Sequence, residues 1–132
     1  MDGSSTVDRR RMIERWDVVF RTLAAEPRRQ IILSLMEAPP DRQLSLPEAA
    51  NPPYLLREPG PLYSELIHSH LPVLADADLV EWDREPLCVE RGPKFEQAAA
   101  VFDSLLSHAD DLPGALTAGC QRLEEKRQGS HR

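Results

Sequence analysis

Lysine and aromatic residues are scarce in this 132-residue chain. Only Lys94 and Lys126 are lysines among its 16 basic residues, and aromatic residues make up 5% of the sequence. The 22 acidic residues leave a formal net charge of −6 at pH 7. Such a charge argues against a dominant nonspecific attraction to polyphosphates, although a local basic patch remains compatible with it. An acidic surface with little lysine is also what we expect of a protein that works at high salt.

Long apolar runs and a cysteine framework are missing as well. No apolar run approaches the roughly 20 residues that a membrane span requires, and no charged segment followed by an apolar one opens the chain. The two cysteines, Cys88 and Cys120, suit free thiols in a reducing compartment. We therefore expect one soluble, cytoplasmic domain without a membrane partner, large enough to fold on its own core.

Apolar residues recur at helical spacing in four segments of the chain. They predict helices over about residues 8–23, 27–38, 62–77 and 92–106. Residues 44–50 are expected to form a short strand followed by a stubby helix, and the prolines of 51–61 predict a long extended loop. The domain is thus predicted over 8–111, between a disordered N-terminus, 1–7, and a polar tail, 112–132, that is weakly helical or disordered.

The most informative feature is a change of period near residue 78. Ile67, Leu71, Leu74 and Ala77 are spaced by four, three and three residues, which places them on one face of a helix. Residues 79–83 then alternate as in a strand, and 87–91 supply a second strand after the tip Arg84-Glu85-Pro86. This pattern predicts a helix, kinked by Pro72, that leads directly into a two-stranded β-hairpin.

Two motifs flank the central part of the chain. The first is Leu23-Ala24-Ala25-Glu26-Pro27-Arg28-Arg29-Gln30-Ile31-Ile32-Leu33, and the second is His70-Leu71-Pro72-Val73-Leu74 with Ala77-Asp78-Leu79-Val80. At this mutual distance they resemble ArsR-type winged-helix transcription regulators, in particular the branch from halophilic archaea. The resemblance covers roughly residues 16–106. It implies a mainly α, winged helix-turn-helix fold with 47–50 as the first helix of the motif, 62–77 as the reading helix and 80–91 as the β-wing.

The resemblance also implies a function. Members of the family are transcriptional regulators that bind double-stranded DNA as homodimers, so we expect a pseudo-palindromic operator. The N- and C-terminal helices would form the dimer interface, through Met12, Trp16, Val19, Phe20, Phe95, Val101, Phe102 and Leu105. The residues expected to face DNA lie opposite the apolar face of the reading helix or beside it as phosphate contacts, and they are Tyr63, Ser64, His68, Ser69, Arg57 and Arg84.

The chain departs from the family pattern at several positions. Asp78 stands where related chains often have glycine, and Val73 stands where they often have a basic residue. Glu65 occupies the presumed outward face of the reading helix, whereas His70 is expected to be packed and hydrogen-bonded to backbone. Val73, Glu65 and the net charge favour an alternative in which the winged helix is a protein–protein interaction module without DNA binding, whereas the helix-to-wing layout and Arg57 favour DNA binding.

Other kinds of site have weaker signals. His68 and His70 with Cys88, or Asp103 with His108 and Asp110, could be gathered around a metal, but no paired Cys-x-x-Cys accompanies them. We expect no metal and no cofactor, so a metal- or redox-responsive sensor is a less favoured alternative, and no small-molecule effector is indicated. The chain has no nucleophile elbow, no glycine-rich phosphate loop and no His-Glu-x-x-His motif, so we expect no enzyme.

Two arginine clusters leave alternatives open. Arg9, Arg10 and Arg11 resemble a nucleic-acid arm, but the acids that surround them are equally consistent with a solvated helix start. Arg28 and Arg29 open the second predicted helix, where they are either structural or close to a DNA backbone.

Overall fold

A computed structural model describes residues 2–51 and 58–117 of the protein, with the side chains of 8–51 and 58–116. The chain is mainly helical and carries one small antiparallel sheet. Its elements are, in order, α1 (Asp2–Thr22), α2 (Glu26–Glu37), β1 (Leu44–Ser45), a 3-10 turn (Glu48–Ala50), α3 (Pro59–Glu65), a π-helical segment (Leu66–His70), α4 (Leu71–Asp76), β2 (Val80–Arg84), β3 (Leu87–Arg91), α5 (Phe95–Ser107), a second 3-10 turn (Ala109–Asp111) and α6 (Gly114–Thr117).

The first two helices are joined by a tight connection. α1 begins at Asp2, six residues before the start that we predicted, because helical hydrogen bonding continues beyond the apolar stripe from which the start was judged. α2 begins with Glu26 and Pro27, a favourable first turn because an acid suits the helix dipole and proline needs no amide partner there. It ends before the prolines at 39 and 40, as predicted.

The sheet has three strands in the order β1-β3-β2, all antiparallel. The predicted hairpin is confirmed, with Trp82 opposite Val89 and a tip at residues 85 and 86. Its two-stranded extent is corrected, because β1 pairs with the other edge of β3 and brings Leu44 opposite Val89. The short strand predicted within residues 44–50 is thus confirmed as β1, whereas its pairing with β3 was not predicted from the sequence.

Residues 59–76 form one continuous helical region, which we call the reading helix. It starts three residues before the predicted position 62, with Pro59 and Pro61 in its first turn. The predicted disturbance at Pro72 takes the form of the π-helical segment just before it, where the Leu71 amide donates to the Leu66 carbonyl. Pro72 then lies in the first turn of α4, where its missing N–H leaves no hydrogen bond unmade.

Asp78 turns the chain from the reading helix into β2. Its φ angle is 61°, so it adopts the left-handed conformation expected at a position where ArsR-type chains often have glycine. The Asp78 amide donates to the Ala75 carbonyl at 3.0 Å and the Leu79 amide to the Leu74 carbonyl at 3.1 Å. These two bonds satisfy carbonyls at the end of the helix and fix the direction in which the hairpin leaves.

The core lies between α2, the reading helix, the sheet and α5. Its largest fully buried apolar side chains come from each of these except α5, and they are Ile31, Ile32, Leu35, Leu62, Leu66, Leu71, Leu74, Leu79, Val80 and Val89. α5 adds Phe95 and Phe102. The 3-10 turn at 48–50 is tied to α2 by the Ser34 hydroxyl, which donates to the Ala49 carbonyl at 2.8 Å. Among the described helices, none is both long and apolar enough to cross a membrane.

Candidate nucleic-acid interface

One face of the reading helix is polar and exposed. Tyr63, Ser64, His68 and Ser69 all lie on this surface, and we call them the reading face. The opposite side of the helix is anchored in the core by its leucines. Hydroxyl and imidazole groups both donate and accept hydrogen bonds, so the reading face carries the chemistry needed to bind base edges or phosphates.

The π-helical segment determines which side chains the reading face presents. Within it, His68 and Ser69 are exposed neighbours, whereas Ile67 and His70 are buried on either side of them. π-helical segments are rare and often accompany functional sites, because they change the angle at which successive side chains leave a helix. The exposed pair is therefore displayed by a local distortion that apolar spacing alone does not reveal.

The β-hairpin contributes the second part of the candidate interface. α4 contacts β2, so the hairpin is held against the C-terminal end of the reading helix. Arg84 is exposed at the end of β2 beside the tip. Arg57, the other predicted phosphate contact, lies outside the described residues. Five of the six predicted DNA-facing residues are thus exposed, on the helix and on the adjacent hairpin.

The charge around the reading face is negative. Residues 58–83 contain six acids and neither lysine nor arginine. The acids Glu58, Asp76, Asp78, Glu81 and Asp83 are exposed. Coulomb repulsion between these carboxylates and phosphates opposes close approach, and only basic residues outside 58–83, such as Arg84, offset it.

His70 belongs to a hydrogen-bonded chain that the sequence does not reveal. It is 6% exposed, and its Nδ1 lies 3.1 Å from Nη1 of Arg28 while its Nε2 lies 3.0 Å from Oε1 of Glu65. A guanidinium only donates hydrogen bonds, so Nδ1 accepts and the ring proton resides on Nε2, which donates to the carboxylate. The prediction of a packed His70 is confirmed, but side chains rather than backbone are its partners.

Arg28 and Arg29, for which two roles were left open, both bind backbone carbonyls at the end of α1. Arg28 donates from Nε to the Thr22 carbonyl at 2.7 Å and from Nη2 to the Arg21 carbonyl at 2.9 Å. Arg29 donates to the Leu23 carbonyl at 2.9 Å. Burial and the adjacent Arg29 charge lower the pKa of Arg28. Both arginines therefore satisfy carbonyls at the C-terminal end of α1, which is a structural role.

An apolar groove lies between α1 and α5. It has a volume of about 610 Å³. Trp16 and Phe20 are 57% and 60% exposed, and their rings stack with centroids 5.5 Å apart. The residues that line the groove include six of the predicted interface residues, namely Met12, Trp16, Val19, Phe20, Val101 and Leu105.

The other two predicted interface residues are placed elsewhere. Phe95 and Phe102 are 2% and 3% exposed and belong to the core, and Val19, although it lines the groove, is only 4% exposed and also belongs to the core. These three side chains are not available to a partner, so this part of the interface prediction is corrected. α5 contributes side chains both to the core and to the groove, because its apolar stripe is broad enough to reach both. Ile13 is also exposed on α1, but it does not line the groove.

The residues considered for a metal site are dispersed. His68 is exposed on the reading helix, His70 is engaged by Arg28, and Cys88 is a buried free thiol in β3. His108 donates from Nδ1 to the Ser104 carbonyl at 2.9 Å. Within residues 2–51 and 58–117, no three histidine, cysteine or acidic side chains are grouped so that they could hold a metal ion.

Comparison with known proteins does not place this chain in a family. No family model, no curated protein and no solved structure matches it. The resemblance to ArsR-type regulators therefore stays a prediction, carried by the two motifs and by the order of the elements.

Proposed function

We propose that the protein is a DNA-binding transcriptional regulator of winged-helix type, which reads a pseudo-palindromic operator with its reading helix and its β-hairpin. The observation that carries the proposal is the reading face, a polar exposed surface on a helix that is anchored in the core and runs directly into a hairpin. The pairing of β1 with β3 supports it, because the chain then runs helix, strand, turn, helix and hairpin as a winged helix does.

The dimensions of the reading helix suit a major groove. An α-helix with its side chains is about 10–12 Å across, and the major groove of B-DNA is about 12 Å wide. Serine hydroxyls and an imidazole at the exposed surface can bind base edges directly, and Tyr63 can contact sugar or phosphate. The anchored leucine side holds this surface rigid, which reduces the ordering cost of binding.

A homodimer completes the proposal. Exposed aromatic rings on α1 beside an apolar groove form a surface that a second copy would cover, and we propose that the two copies pair here through α1 and α5. A twofold axis gives two equivalent reading helices, which matches half-sites about one DNA turn apart. The expected operator is therefore pseudo-palindromic with half-site centres about 10 base pairs apart.

The acidic surface limits the electrostatic part of the binding free energy. If Arg57 and Arg84 of both copies each meet one phosphate, four phosphates are neutralised and log K falls with log salt with a slope of about −4. Such a shallow slope suits a protein that works at high salt, because base contacts and DNA shape then carry recognition.

One observation favours a second candidate. Six acids without any lysine or arginine in 58–83 are also what a protein-binding surface would show, so the alternative is a winged-helix interaction module without DNA binding. The two functions differ in whether a basic partner protein or a DNA duplex binds the reading face.

The experiment is fluorescence anisotropy with the DNA upstream of the protein's own coding sequence, across a potassium chloride series. The double variant His68→Ala/Ser69→Ala is compared with Ser107→Ala/His108→Ala, which removes an exposed serine–histidine pair from the end of α5. We expect the first variant to lose sequence-selective binding and the second to retain it. Arg84→Ala should weaken all duplexes and reduce the salt slope by about 2 per dimer, whereas Arg42→Ala, another exposed arginine, should not.

The contradicting result is equally definite. A folded protein that binds neither this DNA nor a random duplex pool at low salt would exclude the DNA-binding function. Binding that is equally strong and equally selective in the wild type and in His68→Ala/Ser69→Ala would show that these two residues do not read DNA.

A further inference from the structure

Arg28 and His70 connect the helix proposed for dimerisation to the helix proposed for DNA reading. We propose that they are positioning residues, which hold the π-helical segment at a set place relative to α1 and thereby make DNA binding sensitive to the spacing of the two half-sites. This inference rests on the proposed function. It assigns a role to side chains that face away from DNA.

Three elements meet at the Arg28 guanidinium, which comes from the first turn of α2. Its Nε and Nη2 bind the carbonyls of Thr22 and Arg21 at the end of α1, and its Nη1 binds the His70 ring. The Trp16 and Phe20 rings of the groove lie on α1 within two turns of these carbonyls. A displacement of α1 would therefore move the Arg28 guanidinium and, through its hydrogen bond to Nδ1, the His70 ring.

His70 couples the position of α1 to that of the reading face, because it is next to two residues of this face in the chain. It is the last residue of the π-helical segment, and the exposed residues His68 and Ser69 directly precede it. Its other ring nitrogen is bound to Glu65 in α3, so Arg28 holds the ring at Nδ1 and Glu65 holds it at Nε2. A π-helical turn is a rare local departure from α-helical hydrogen bonding, so a side-chain brace at such a turn can fix its position.

The two hydrogen bonds of the His70 ring can be removed one at a time by substitution, because each uses a different ring nitrogen. Arg28 donates to His70, and His70 donates to Glu65. His70→Asn can retain an acceptor near the Nδ1 position but loses the donor to Glu65. His70→Gln can retain a donor near the Nε2 position but loses the acceptor for Arg28. Arg29→Ala is the matched control for Arg28→Ala, because Arg29 binds the carbonyl of Leu23, directly after α1, and no residue of the reading helix.

The test measures binding of wild type and variants to operators whose half-site spacing is changed by one or two base pairs. We expect Arg28→Ala and His70→Gln to reduce the preference for the correct spacing by about three- to thirtyfold, while affinity for an isolated half-site changes little. His70→Asn should retain part of the preference, and Arg29→Ala should retain all of it. Thermal unfolding of each variant shows whether it is folded at the binding temperature.

Two outcomes would overturn the inference. One is a folded Arg28→Ala variant that keeps the wild-type spacing preference, and the other is an equal loss of affinity at every spacing and at the isolated half-site. If the wild type binds no DNA, the proposed function and the recognition part of this inference fail together. The amide NMR shifts of residues 66–70 then decide the positioning role alone, since they should change in Arg28→Ala and stay near wild type in Arg29→Ala.

Discussion

Gly92 faces the carbonyl oxygen of Asp78 so closely that a β-carbon at residue 92 would lie 2.6 Å from that oxygen. The same β-carbon would lie 2.8 Å from the Val80 nitrogen. The Gly92 amide donates to the Leu79 carbonyl at 2.9 Å, and the Lys94 amide donates to the Asp78 carbonyl at 2.8 Å. The turn that leads into the hairpin and the segment that leaves it are therefore joined backbone to backbone, and only glycine fits between them.

Gly92→Ala is predicted to destabilise the protein by about 1–3 kcal/mol, because backbone atoms surround the added methyl group and cannot move aside as a flexible side chain would. Urea unfolding followed by circular dichroism measures the change. Gly60→Ala is the control, since a β-carbon there meets no atom within 4 Å. Equal stability of Gly92→Ala and wild type would show that the hairpin can move away from residue 78.

Asp78→Gly is predicted to raise the free energy of unfolding by up to about 1 kcal/mol, because glycine adopts a φ angle of 61° without the strain of a β-carbon. The ion pair with Lys94, 3.9 Å long and exposed, contributes little to stability and is a small loss. Asp76→Gly is the matched control. Residue 76 is exposed at the end of a right-handed helix, so glycine there should destabilise by about 0.5–1 kcal/mol. A stabilised Asp76→Gly or a destabilised Asp78→Gly would contradict this account of the turn.

Arg91→Ala is predicted to lower stability by about 2–3 kcal/mol. The guanidinium binds the Leu35 carbonyl through Nη2 at 2.8 Å and the Ala38 carbonyl at 3.1 Å, and it lies 4.7 Å from the centre of the Phe95 ring. Charged hydrogen bonds of this kind contribute about 1.5–3 kcal/mol. Arg91→Lys should lose roughly half as much, since an ammonium retains the charge without the planar fork.

The control for Arg91 is Arg84→Ala, at the exposed end of the other hairpin strand, which should change stability by less than about 0.5 kcal/mol. Chemical denaturation of the three variants at one pH provides the comparison. A loss from Arg91→Ala no larger than that from Arg84→Ala would show that α2 needs no side-chain partner at its C-terminal end.

Trp16→Glu with Phe20→Glu is predicted to convert the proposed homodimer into a monomer with little change in the stability of the monomer, because both rings are largely exposed. Sedimentation velocity over a concentration series measures the association. Ser107→Glu is the control, because Ser107 is exposed and does not line the groove. A wild type that is monomeric at high concentration would contradict the proposed pairing.

The local elements of the fold follow from apolar spacing. Ile67, Leu71 and Leu74, which were predicted to share one helix face, all lie in the core, because the helical period is set by backbone geometry alone. The strand β1 was predicted but its partner was not, since Leu44 pairs with Val89, which lies more than 40 residues further along the chain. Sequence spacing contains no information on which strand edge receives it.

The candidate site was predicted only in its exposed part. The reading face could be named because residues opposite an apolar stripe face outward. The bond between Arg28 and His70 spans 42 residues, and neither residue type indicates the other as its partner. Two arginines at the start of a helix are consistent with DNA contact and with capping alike, and only the structure shows that they bind carbonyls at the end of α1.

The sequence by itself determined the helices, the hairpin, the turn at Asp78 and the polar face of the reading helix, because each depends on residues near one another in the chain. Only the tertiary structure decided that Phe102 is core while Phe20 lines a groove, that a third strand joins the sheet, and that His70 links two helices. The physical reason is that burial and long-range hydrogen bonds depend on which surfaces meet, and a one-dimensional pattern shows that a surface is apolar without showing what covers it.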